Sequence, residues 1–192
     1  MQPLAAVAVA YFIGSFPSAY IYTRLLGRRD IRQVGSGNVG GMNAFRNVGP
    51  LPGVLTGVTD VAKGALAVWL ATRWFPGLPL LIGMVAVAVV AGHNWMPWLG
   101  MRGGKGLGAT AGALAVYQPA SIGGFLIAYV LGLAAFRDSY AAVVTGMAAL
   151  PVAMWIFGGT AAYALVGLGL AAAVIAKHTG ELRDYLEKRR RR

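Results

Sequence analysis

GLGATAGALAVYQPASIGGFLIAYVLGLAAF, residues 106–136, carries no charged side chain from end to end. A helix needs about 20 apolar residues to cross a hydrocarbon core. This run is long for one such helix and short for two full ones. Tyr117-Gln118-Pro119 interrupts it midway, where proline removes a backbone donor and biases the preceding residue away from helix. A second charge-free run, residues 139–176, is punctuated in the same way by Gly158-Gly159. Read as two pairs of short helices, these runs bring the chain to about seven transmembrane helices. Read as two long tilted helices, they give five.

The remaining spans lie upstream. Residues 3–23 form the first; the segment has no basic leader, so a spanning helix is expected rather than a cleaved signal. Leu51 to Trp74 forms the second, despite Asp60 and Lys63. Leu78 to Trp98 forms the third, with Trp95 and Trp98 as interface anchors. The whole chain has 192 residues, 57% of them hydrophobic, and a mean hydropathy of +0.62. These values place it among integral membrane proteins: an all-α fold, with residues 1–192 as one polytopic domain.

Composition also excludes. The chain has no cysteine, which removes disulfides, thiolate catalysis and thiolate metal sites. Its two histidines do not form an H-E-x-x-H pattern, and neither a metal nor another cofactor is expected. A net charge of +11 in a soluble chain would point to nucleic acid. Here the basic residues flank apolar segments, so anionic membrane lipids are the expected partners and nucleic acid is not. With seven helices, Arg24, Arg28, Arg29, Arg32, Arg46, Arg102, Lys105, Arg137 and the tail from Lys177 to Arg192 share one side. The positive-inside rule makes that side cytoplasmic, in a cell membrane, with only Arg73 clearly opposite. The terminal arginine run is expected to hold topology and touch lipid.

Two polar, glycine-rich loops interrupt the apolar pattern on that side. GSGNVGGMNAFR runs from Gly35 to Arg46, and GHNWMPWLGMRGGKG from Gly92 to Gly106. Glycines let successive backbone N–H groups converge on an anion, so amides of residues 35–41 and 103–106 are candidate phosphate ligands. Arg46 and Lys105 would add fixed positive charge. Gly35, Gly37, Asn38, Gly40, Asn43, Gly103, Gly104 and Gly106 complete the candidate binding set, with Asn38 and Asn43 equally suited to turns. Ser36 has no base within sequence reach, which favours a ligand or turn role over a nucleophile. GSGNVG matches G-x-G-x-x-G, but no buried strand precedes it, so dinucleotide binding is not supported. GMRGGKG is one residue short of a phosphate-binding P-loop and lacks its Ser or Thr. Gly108 and Gly112 are spaced for close helix packing.

Asp60 and Lys63 lie one turn apart on an apolar helix. Unpaired charges there would cost at least ~2.5 kcal/mol each, so an interior pairing is expected, with substrate contact as the alternative. His93 falls where the third helix meets the interface and suits a helix-end hydrogen bond.

Taken together, GSGNVGGMNAFR, the DVAKG of the second helix, GHNWMPWLGMRGGKG and a late His178 resemble the acyl-phosphate:glycerol-3-phosphate acyltransferases, the PlsY family. The resemblance covers nearly the whole chain in order and spacing. It implies a seven-helix enzyme of the cytoplasmic membrane, whose substrates are acyl phosphate and glycerol 3-phosphate and whose product is lysophosphatidic acid. By the same resemblance, Ser36, Arg46, Lys105 and His178 are the catalytic set, and Gly103 and Gly104 supply phosphate-binding backbone. The chain departs from the family pattern twice. Gly40-Gly41-Met42-Asn43 stands where G-A-T-N is usual, and Glu181 replaces the asparagine of H-x-x-N-I-x-R-L, with the arginine displaced to Arg183. A carboxylate near a dianionic acceptor repels it unless neutralised. Lys177, four residues earlier, and Arg183 are the expected partners.

An acyl phosphate is an activated mixed anhydride, so a catalyst need only hold two phosphate-bearing substrates together and stabilise developing charge. The acceptor proton can pass to a phosphate oxygen or to His178. Two other readings use the same loops: a membrane carrier for a phosphorylated metabolite, and a non-catalytic relative that binds lipid phosphate. Against the carrier stand the absence of an inverted repeat and the placement of both loops on one face.

Overall fold

The computed structural model describes residues 2–190, in which every regular element is helical; Arg191 and Arg192 of the basic tail lie outside the described residues. The elements are α1 (Pro3–Gly14), α2 (Ser18–Gly27), α3 (Gly41–Asn47), α4 (Pro50–Trp74), α5 (Pro79–Asn94), α6 (Leu107–Tyr117), α7 (Ala120–Phe136), α8 (Ser139–Gly158), α9 (Ala161–Ala176) and α10 (Thr179–Arg190). The α1–α2 rod, α4, α5 with the short turn that follows it, and α8 are long and apolar enough to cross a membrane, and α6, α7 and α9 are shorter apolar helices. Both long charge-free runs are therefore helix pairs, which supports the seven-helix reading over five.

The breaks have local causes. Between α6 and α7, Gln118 stays buried; its side-chain Nε2 donates to the Met154 carbonyl at 3.2 Å, and its backbone carbonyl accepts from Ser121 Oγ at 2.7 Å. Between α8 and α9, Gly159 adopts φ +70° and ends α8 with a left-handed cap. Asp138 starts α8 by accepting from the amides of Tyr140 and Ala141, both at 2.9 Å.

One break was not expected. The first span is not a single helix over residues 3–23. It stops at Gly14, resumes at Ser18 and continues to Gly27. Pro17 has no N–H to donate, so the helical ladder stops there, and the carbonyl of Phe16 accepts from the Ser18 amide at 2.9 Å. Lys63 reaches it from α4, with Nζ 3.3 Å from Phe16 O. Trp98 Nε1 donates to Ser15 Oγ at 2.9 Å in the same break.

Val85, Val89 and Val90 of α5 share one buried core with Val68, Leu114, Met147, Leu150, Leu170 and Val174 from α4, α6, α8 and α9. Small residues set the closest approaches. A Cβ at Gly112 would overlap the Val61 carbonyl, and one at Gly64 the Ala109 carbonyl, so α4 and α6 touch backbone to backbone. The outer surface is apolar, with Leu4, Phe12, Trp69, Ile127, Leu131, Trp155 and Ile156 exposed. A face of this extent suits a lipid environment.

Candidate functional site

The loop between α2 and α4 is a folded unit. Ile31, Val39 and Ala44 pack with Ala19, Met96 and Leu99 into a second, smaller core. Asp30 pins its start, taking Arg32 Nε at 3.0 Å and Nη2 at 2.7 Å, and Arg24 Nη2 at 2.9 Å. The Arg32 hydrogen bonds, outweighing burial, hold the Asp30 carboxyl well below the usual carboxylate range. Asn43 fastens the middle. Its Nδ2 donates to the carbonyls of Ile31, Val34 and Asn38 at 3.4, 3.1 and 2.9 Å. Its Oδ1 accepts from the Ser36 amide at 3.3 Å and from Asn47 Nδ2 at 2.9 Å. Gly35, at φ +56°, lies where a Cβ would strike both Asn43 Oδ1 and Asn47 Nδ2.

This loop meets the second one directly: the Val39 amide donates to the Gly103 carbonyl at 3.4 Å. The Gly103-Gly104 segment lies against the end of α5, where side chains would overlap the His93 carbonyl and ring. Lys105 then projects into a cavity of about 500 Å³ whose polar wall includes Ser36, Asn38, Asn43, Arg46, Asn47 and His178. Leu107, Tyr129, Ser139, Tyr140 and Val143, from α6, α7 and α8, complete it, with Met42 at the rim.

Of the expected residues, Ser36, Asn38, Asn43, Arg46, Lys105 and His178 come together here, while Gly35, Gly37, Gly40, Gly103, Gly104 and Gly106 shape the loops behind them. Part of the backbone cradle is engaged within the loops. The amides of Ser36, Gly37, Asn38 and Val39 donate to Asn43 Oδ1, Val34 O, Ser36 Oγ and Gly103 O, and that of Gly104 to His93 O.

Asp60 and Lys63 do not line this cavity, and each has interior partners. Lys63 Nζ is 2.9 Å from Asp60 Oδ1, which also accepts from Ser18 Oγ at 2.8 Å. His93 Nδ1 lies 3.4 Å from the same oxygen. His93 thus belongs to a buried cluster joining α2, α4 and α5, and is not a helix-end cap. Because Gly104 packs on its ring, the cluster supports the Lys105 loop from beneath.

His178 sits between α9 and α10 and is buried. Its Nδ1 is 2.8 Å from the Val174 carbonyl, an acceptor, so Nδ1 carries the proton and Nε2 keeps a lone pair. Burial holds its imidazole below the ordinary value, and the Lys105 charge adds to this; the Val174 bond opposes both and is outweighed. Glu181 forms its ion pair with Lys105, not with Lys177 or Arg183. Lys177 lies over the Trp95 ring at 5.9 Å, and Arg183 is exposed. Burial raises the Glu181 carboxyl, but the Lys105 ammonium more than offsets this and holds it below its usual range.

Ser139, Tyr140, Tyr129 and Asn47 were not foreseen. The Arg137-Asp138 turn carried the one usable signal, because a seven-helix topology puts the start of α8 on the same side as both loops.

A family model described as glycerol-3-phosphate acyltransferase matches residues 4–188. The chain is similar to glycerol-3-phosphate acyltransferase 1 of Moorella thermoacetica, at 40% identity over 91% of this chain and 89% of that protein. It is similar to the glycerol-3-phosphate acyltransferase of Syntrophomonas wolfei, at 35% identity over 93% and 90%. Among solved structures it is similar to PlsY, an integral membrane glycerol 3-phosphate acyltransferase, in its glycerol 3-phosphate form. That likeness has a TM-score of 0.85 and 26% identity, covering 97% of this chain and 93% of that one.

Proposed function

The chain belongs to the glycerol-3-phosphate acyltransferase family, and from that premise we propose that it moves a fatty acyl group from acyl phosphate to glycerol 3-phosphate. The products are lysophosphatidic acid and inorganic phosphate. One observation carries the reading: the cavity is amphipathic in the way these substrates are. Arg46 and Lys105 face it at the polar wall. Leu107 lines both this cavity and an apolar pocket of about 120 Å³ between α6, α7 and α8, walled by Leu114, Phe125, Leu126, Met147 and Leu150. The polar wall suits phosphates, and the apolar pocket suits an acyl chain entering from the lipid.

In this reading, Arg46, with Ser36 and Asn38 beside it, holds the donor phosphate, and Lys105 holds the phosphate of the acceptor. The acceptor hydroxyl, positioned by His178 Nε2, attacks the acyl carbonyl. The new ester C–O bond forms, the bond from the carbonyl carbon to the phosphate oxygen breaks, and phosphate leaves. The hydroxyl proton goes to Nε2 or to an oxygen of the departing phosphate. The two cations stabilise charge that builds on the phosphate as it leaves, an effect strengthened in a site partly shielded from water. The flanking lysines and arginines support a cell membrane location with this site on the cytoplasmic face.

The test is the purified protein in detergent with palmitoyl phosphate and glycerol 3-phosphate, product identified by mass. Lysophosphatidic acid formed from palmitoyl phosphate, and not from palmitoyl-coenzyme A, is the expected result. Absence of product with palmitoyl phosphate overturns the reading.

A further inference from the structure

Lys105 lines this cavity with Arg46, and its ammonium is already engaged. Glu181, in the first turn of α10, forms an ion pair with it. The two side chains are 19% and 27% exposed, so the pair sits at the cavity's edge, within reach of water and solutes. On another side, Lys105 lies over the Tyr140 ring, 4.5 Å from its centroid. A phosphate that takes Lys105 as a ligand therefore meets a carboxylate at the same ammonium, and two anions on one cation repel each other.

We propose that Glu181 sets the affinity for the acceptor's phosphate by competing with it for Lys105, so that glycerol 3-phosphate binds only as the carboxylate is displaced. The inference rests on reading this cavity as the acylation site. The acceptor is the substrate affected because Glu181 follows His178 by one helical turn, and His178 is the residue placed at the acceptor hydroxyl. Donor phosphate, held through Arg46 on the other loop, is not opposed in this way. The competition also lowers the net charge that an incoming dianion meets, which weakens the dependence of acceptor binding on salt.

The experiment measures steady-state kinetics of wild type, Glu181→Gln and Glu181→Asp with palmitoyl phosphate and glycerol 3-phosphate, at several ionic strengths. Glutamine keeps the size and removes the charge. Aspartate keeps the charge but withdraws it from Lys105 by one methylene. For Glu181→Gln the KM for glycerol 3-phosphate should fall roughly two- to fivefold, the range set by a partly exposed ion pair. Its KM should also rise more steeply with salt than in wild type, while the KM for palmitoyl phosphate stays unchanged. Glu181→Asp should fall between the two. An unchanged or higher acceptor KM in Glu181→Gln, or a drop confined to the donor KM, overturns the proposal while leaving the acyltransferase reading intact. A wild type that forms no lysophosphatidic acid overturns both.

Discussion

The Val39 amide and the Gly103 carbonyl join the two glycine-rich loops at 3.4 Å. Through this contact, Arg46 on one loop and Lys105 on the other become parts of one surface. Each loop is stiffened from behind, the first by Asn43 and the second by His93. The backbones that carry the two charges are therefore set before any ligand arrives, the kind of preorganisation that the proposed electrostatic role requires.

Arg46→Ala and Lys105→Ala should each lower turnover by ~10²-fold or more, as expected for removing a preorganised electrostatic contact. Both side chains reach the cavity from its rim, so the variants should still elute as folded protein. Arg73→Ala is the control. Arg73 sits in the last turn of α4, over Trp69 and away from the cavity, and its loss should leave the rate unchanged. Near-normal turnover in the Arg46 and Lys105 variants would rule out the phosphate-binding role.

Asn43 predicts a graded series. Alanine removes donors to three carbonyls and the acceptor for the Ser36 amide. The Val34 carbonyl keeps the Gly37 amide, but the buried Ile31 carbonyl loses this donor, and the change should cost about 1–3 kcal/mol. Aspartate should be worse, because it keeps the acceptor and turns a negative oxygen toward the same carbonyls. Thermal unfolding in detergent should rank wild type above Asn43→Ala and Asn43→Ala above Asn43→Asp. A series in any other order would show that Asn43 is not the loop's fastening.

The α4–α6 contact gives a sharper contrast. Gly112→Leu forces a side chain into the Val61 carbonyl, and backbone cannot move aside without parting the helices. The variant should lose folded yield and activity together. Gly57, also on α4, has open space where its Cβ would stand. Gly57→Ala should be neutral or stabilise by about 0.5–1 kcal/mol, through a better helix former and a less free unfolded chain. Both variants can be scored by size-exclusion yield and by turnover.

Much of this was readable from local pattern. Tyr117-Gln118-Pro119 and Gly158-Gly159 stop helices by their own backbone chemistry, so the division of the two long runs needed no tertiary knowledge. Arg46 and Lys105 stood out as cations embedded among glycines. What escaped depended on partners far along the chain. At the break, Lys63 from α4 adds a second donor to the Phe16 carbonyl, and an apolar run does not announce that. Lys177 has the right spacing to pair with Glu181, yet Lys105 takes its place because α10 packs against α8 at the cavity's edge. The glycines promised a backbone cradle, but whether an amide is free depends on which carbonyls the folded loop brings to it.

The last prediction concerns pH. Either proton route needs His178 neutral, since a protonated Nε2 cannot accept a hydrogen bond from the acceptor hydroxyl. Burial, then the Lys105 charge, hold its imidazole below the ordinary 6.5. A depressed value means the neutral form persists further into acid. Turnover at saturating substrates should therefore stay level through neutral pH and fall only below 6.5, the ordinary imidazole value. Glu181 stabilises the protonated form, so Glu181→Gln should move the acid limb to still lower pH. His178→Gln keeps a polar group but cannot titrate, and its slower reaction should lose the limb altogether. If the limb survives at the same pH in His178→Gln, the titrating group is a substrate phosphate and not this histidine.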